Sequence, residues 1–135
     1  MRLEPGSPYL DASALVKLVV TEPESEALLV ELGRWAERIT SSISITEVIR
    51  ACRLAGSAAL LDQAHAVVAA TAMLDTDIPL LRDAAGLDPV ELRSLDAIHL
   101  AAALSLGGDL GIVFTYDKRL AAAARGHKLE VVSPT

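Results

Sequence analysis

Four acids in this chain of 135 residues, Asp11, Glu47, Asp96 and Asp117, stand where a helix opens, and that address is where side-chain chemistry can be concentrated. Asp11, Glu47 and Asp117 each follow a short run that reads as a strand, apolar before Asp11 and Asp117 and β-branched before Glu47. In a parallel sheet every strand-to-helix junction lies on the same edge, so carboxylates remote in sequence can converge there. Crowded carboxylates repel, and without a cation some must take up protons. A hard divalent ion removes that cost. Mg2+ or Mn2+ takes one or two carboxylates directly and keeps water in its remaining positions. Such a water can be activated for attack on a phosphodiester while the metal neutralises charge building on the phosphate. The chemistry in view is metal-assisted hydrolysis.

Each acid also has a plainer use. Asp96 falls in the first turn after Ser94, a plausible N-cap, where a carboxylate complements the positive helix end for about 0.5 kcal/mol. Ser44 and Glu47 have the spacing of a capping box, and Asp117 has the position of an N-cap. Arg50, one helical turn beyond Glu47, can steady that carboxylate, meet a phosphate or simply remain a solvated charge. Ser13, near Asp11, is itself a possible cap. His65 lies on an alanine-rich helix and reads as packing or surface. Asp77, Asp83 and Asp88 read as turn and helix-end acids.

The elements that must position these residues alternate along the chain. Residues 1–8 read as an irregular lead to a brief buried strand at Tyr9-Leu10, and a helix follows over Ala12 to Val20. Thr21-Glu22-Pro23-Glu24 has capping-box spacing and opens a second helix reaching about Glu37. Residues 38–42 read as a strand, residues 44–54 as a helix, and Ser57 to Leu74 as a long helix with an apolar stripe of period near 3.6. Thr76 to Leu80 reads as a third strand, at an edge because of Pro79. Asp88 to Arg93 reads as a short helical turn leading into the helix of Asp96, which Gly107-Gly108 ends. Leu110 to Thr115 is apolar throughout its first five residues, as a buried parallel strand should be. A last helix follows Asp117, and Leu129 to Val132 closes the set. Strands alternating with helices imply an α/β fold, a mainly parallel sheet of four or five strands covered on both faces in three α/β/α layers.

The length suits one domain over residues 1–135, and a hydrophobic share of 52% leaves apolar surface over for a partner or a second copy. The net charge of -6 excludes a protein that holds nucleic acid by a broad basic face. It leaves a nucleic-acid enzyme open, because a bound cation inverts the local potential. The single cysteine, Cys52, has no internal disulfide partner and suits a reducing cytoplasm. Met1 to Gly6 is broken by an acid, a proline and a glycine, unlike a signal peptide, and no run nears the ~20 apolar residues that span a bilayer.

Tyr9 to Lys17, Ser44 to Glu47, Leu95 to Ala101 and Phe114 to Leu120, taken in this order, resemble the successive motifs of PIN-domain proteins. More narrowly they resemble the VapC ribonuclease toxins of prokaryotic toxin-antitoxin pairs, from Tyr9 to Pro134. The resemblance implies a PIN-like fold and a metal-dependent endoribonuclease. It implies Asp11 and Asp96 as direct Mg2+ ligands, Mn2+ being an alternative, and Glu47 as an outer ligand or water-positioning group. Asp117 would complete the site, with Ser13 and Thr115 orienting carboxylates. It also implies an RNA substrate, a VapB-type antitoxin and a homodimer, with RNA contact falling to scattered bases such as Lys17, Arg50, Arg53 and Arg119. A PIN scaffold that binds without turnover is the alternative. A receiver-type phosphoacceptor domain fits poorly, since it needs adjacent acids after the first strand and this chain has Leu10-Asp11-Ala12 there.

Overall fold

The computed structural model of the chain describes residues 4–135. Its centre is a five-stranded, all-parallel sheet in the order β3-β2-β1-β4-β5, formed by β1 Ser7–Leu10, β2 Ile39–Ser41, β3 Ala72–Leu74, β4 Leu110–Phe114 and β5 Val131–Val132. Alternation along the strands sends side chains to opposite faces and so builds two cores. Tyr9, Ile39 and Val113 face α5 Ile78–Ala85, α6 Ser94–Ser105 and α7 Lys118–Gly126. Leu10, Ile112 and Phe114 face α1 Ala12–Lys17, α2 Ser25–Leu32, α3 Ile43–Ala55 and α4 Ala58–Ala69. The expected three α/β/α layers are therefore present.

From β1 the chain runs outward to β2 and β3, then crosses back to lay β4 on the other side of β1. The order reverses between β1 and β4, and in such sheets a ligand crevice opens outside the carboxyl ends at that point. Asp11 follows β1, and Thr115 to Asp117 follow β4.

Several local readings need correction. Thr76 to Leu80 is not a strand: Asp77 caps α5 by accepting from Leu80 N at 3.0 Å, with Pro79 in the first turn, and β3 lies earlier, at Ala72–Leu74. The long helix accordingly stops at Ala69, and the second runs only from Ser25 to Leu32. Glu24 makes no cap; Lys17 takes both Glu22 and Glu24, at 3.1 and 2.9 Å. Part of the expected irregular lead, Ser7 and Pro8, already belongs to β1, while residues 1–3 lie outside the described part. Asp88 to Arg93 forms a turn with a cis Asp88–Pro89 bond rather than a helical turn. Ser94 is the first residue of α6, not its cap.

Candidate active site

Asp11 combines a structural duty with a buried place at the crevice. Its extended backbone makes it the N-cap of α1, where Oδ1 accepts from Ala14 N at 3.0 Å and from Ser13 Oγ at 2.7 Å. Oδ2 accepts from Thr115 Oγ1 at 2.6 Å. Three of roughly four acceptor positions on the carboxylate are thus taken, and one on Oδ2 remains for a further ligand. Ser13 Oγ in turn accepts from Tyr116 N, and Thr115 Oγ1 from Asp117 N. The two hydroxyls therefore fasten the segment after β4 to the segment after β1. The carboxyl is 3% exposed, and burial pushes its pKa up, against the pull of His99 and its hydrogen bonds.

Asp117 caps α7, its Oδ1 accepting from Arg119 N at 2.9 Å and Leu120 N at 3.0 Å. Oδ2 meets Arg93 Nη2 at 3.3 Å, and the same guanidinium reaches Asp96 Oδ2 through Nε at 3.6 Å. Asp96 Oδ2 is buried and has no hydrogen-bond partner. Burial, then the charge of Asp117, raises the Asp96 carboxyl; Arg93 lowers it, and Asp11 raises it further. Asp11, Asp96 and Asp117 thus share one electrostatic field at the crevice.

Glu47 is not a capping-box partner. Ser44 and Glu47 both lie inside α3, Ser44 Oγ pairing with Thr40 Oγ1 at 2.6 Å and Glu47 Oε1 with His99 Nε2 at 2.7 Å. Glu47 and Ser13 line one shallow cleft with Lys17 and Tyr116. Arg50 is exposed on α3, and no ion pair among the described residues includes it. Lys17 is held by Glu22 and Glu24, whereas Arg53 and Arg119 are exposed.

Sequence reasoning passes over Arg93 and His99. Arg93 stood in a presumed turn, although an arginine three residues before Asp96 is a spacing at which the two can meet across a helix start. His99 bore no sign of its partners, which lie 90 and 52 residues away.

The oxygen donors suit a hard divalent cation. Asp96 Oδ2 is a buried acceptor with no hydrogen bond, met by Arg93 Nε at 3.6 Å, and Asp11 Oδ2 retains an open position. Among the described residues no group of three or more His, Cys, Asp or Glu side chains is placed to hold a metal ion.

The family profile described as PIN domain matches residues 9–126. Ribonuclease VapC46 of Mycobacterium tuberculosis is 45% identical over 127 residues, spanning 94% of this chain and 97% of the relative. Ribonuclease VapC47 of the same species is 34% identical over 130 residues, spanning 93% and 96%. A solved structure described as a toxin-antitoxin complex from Klebsiella pneumoniae superposes with a TM-score of 0.72 at 20% identity, covering 96% of this chain and 98% of that one, a likeness of fold.

Proposed function

Because the chain belongs to the PIN-domain family and to its VapC group, we propose that it is a Mg2+-dependent endoribonuclease, the toxin of a toxin-antitoxin pair. The observation that carries this reading is the gathering of Asp11, Asp96 and Asp117 at the sheet's switch point, with one buried Asp96 oxygen that accepts no hydrogen bond and faces the Arg93 guanidinium at 3.6 Å. Asp11 and Asp96 would hold the ion, Mg2+ or Mn2+. When bound, it supplies neutralisation of phosphate charge and a more acidic water.

The chain's own residues do the rest. Ser13 and Thr115 hold the Asp11 carboxylate in one orientation by two short hydrogen bonds. Glu47, with Oε1 engaged by His99, takes the proton of the attacking water on Oε2. Asp117 completes the acidic wall while capping α7, and Arg93 restrains it together with Asp96. The partner is a VapB-type antitoxin, and apolar side chains such as Leu54 and Val90, 91% and 85% exposed, offer surface for it or for a homodimer. Among the described residues no helix is long and apolar enough to cross a membrane. The working compartment is the cytoplasm, where the RNA is.

The test is cleavage of a pool of structured RNAs by the free protein, with Mg2+ and with chelator. Wild type cuts only with the metal, and Asp96→Asn loses about 100-fold or more. Equal cutting by both proteins sinks the reading.

A further inference from the structure

His99 is a polar ring on a helix whose other inward side chains, Ala97, Leu100, Ala101, Ala102 and Ala103, are aliphatic. It is 2% exposed, and a leucine there would bury more cheaply. Both ring nitrogens are nevertheless engaged: Nδ1 lies 2.7 Å from the hydroxyl of Tyr9, and Nε2 lies 2.7 Å from Glu47 Oε1. Tyr9 is fully buried on β1, at the centre of the sheet. Its hydroxyl pairs with Nδ1, and the hydroxyls of Ser41 and Thr40 lie close enough to lower its pKa against burial. Burial holds the phenol proton on by raising its pKa. A ring that donates from Nε2 to Glu47 accepts the Tyr9 hydroxyl on Nδ1 when it is neutral and donates from both nitrogens when it is charged.

The direction of the chain of bonds has a consequence. Tyr9 and His99 belong to the layer of α5, α6 and α7, whereas Glu47 rides on α3 in the opposite layer. The only described hydrogen bond that anchors the Glu47 carboxylate therefore comes from across the sheet edge. A long glutamate at the mouth of a cleft otherwise samples several rotamers.

We propose that His99 is a positioning residue: paired with the Tyr9 hydroxyl, it donates from Nε2 to Glu47 and fixes that carboxylate in the cleft it lines with Ser13, Lys17 and Tyr116. The assignment rests on the ribonuclease reading above, because the role of Glu47 does.

The experiment is single-turnover and steady-state cleavage of an end-labelled RNA that the wild type cuts from the structured pool. His99→Leu keeps the volume and removes both bonds, so kcat falls about 10- to 100-fold at little changed KM. His99→Gln, whose amide can still reach Oε1, recovers part of the loss. In a Glu47→Gln background the leucine variant costs nothing more, since there is no carboxylate left to fix. An independent readout needs neither metal nor RNA: ring 15N shifts of His99 in the wild type show the proton on Nε2, and Tyr9→Phe shifts the Nδ1 signal. A proton on Nδ1 in the neutral ring overturns the proposal, and so does the same fold-loss in the Glu47→Gln background. A wild type that cuts while His99→Leu retains its kcat sinks this assignment alone. A wild type that cuts no RNA sinks the nuclease reading and this assignment with it.

Discussion

Asp96 works against the fold that carries it. Its Oδ2 is sheltered without a hydrogen bond, and burial together with Asp117 raises its pKa, as burial raises that of Asp11. The folded chain therefore binds more protons than the unfolded one from about pH 4 upward, and metal-free stability falls as pH climbs through that window. In chelator, Asp96→Asn should melt about 2–4 °C above wild type at pH 7, with the gap closing as pH is lowered toward 4. Mg2+ should raise the wild-type melting temperature and leave the variant unmoved. A variant that melts lower at pH 7 would show that the carboxylate is structurally paid for after all. Thr115→Val tests the opposite case: it leaves Asp11 Oδ2 and Asp117 N without their shared hydroxyl, a loss of about 1–3 kcal/mol in denaturant unfolding. The acids were legible because residue type and position at a helix start are local properties. His99 and Arg93 were not, since their meaning lies in partners that only the folded chain brings within reach. Glu47 was half legible: Ser44-x-x-Glu47 is a capping-box spacing, yet Thr40 claims the serine and His99 the glutamate.

At the scale of elements, Asp117 separates a helix cap from a charge. Its Oδ1 accepts from Arg119 N and Leu120 N, which asparagine can also do. Asp117→Asn should therefore melt within about 1 °C of wild type while losing most RNA cleavage, whereas Asp117→Ala should lose about 1 kcal/mol of stability as well. Equal destabilisation by the two would mean that the charge on Asp117, not its acceptor, steadies α7. Gly111 shows a different constraint. A Cβ there would collide with the Gly6 carbonyl, where the β1–β4 register shifts between Ser7 and Pro8. Strand β4 and helix α7 were easy to read, one from its continuous apolar run and the other from Asp117. Thr76 to Leu80 was misread because Ile78-Pro79-Leu80 looks like an apolar run, while Asp77 and Pro79 together are a helix start. The real β3, Ala72-Met73-Leu74, is half-buried at the sheet edge and continues the composition of the helix before it, so no periodicity set it apart.

On the scale of the whole molecule, the charge of -6 sets how RNA can be held. Several bases are already spoken for, Lys17 by Glu22 and Glu24, Arg34 by Glu31, and Arg93 by Asp96 and Asp117. The layered fold then places the acidic groups at one sheet edge, where their potentials add instead of cancelling. An ordinary basic RNA-binding face that meets six phosphates of a single strand loses affinity with a log–log salt slope of about -4. Here the long-range term has the other sign, and at about 0.01 M salt it reaches roughly 30 Å from the surface. In chelator, binding of a structured RNA should therefore be weak at low salt and should change little, or tighten, as monovalent salt rises to about 0.1 M. Millimolar Mg2+ at constant ionic strength should tighten it, and Asp96→Asn should bind more strongly than wild type in chelator. Fluorescence anisotropy across a salt series decides the matter: a steep fall in affinity without metal would reveal a basic face, and the acidic edge could not then be what governs access to RNA.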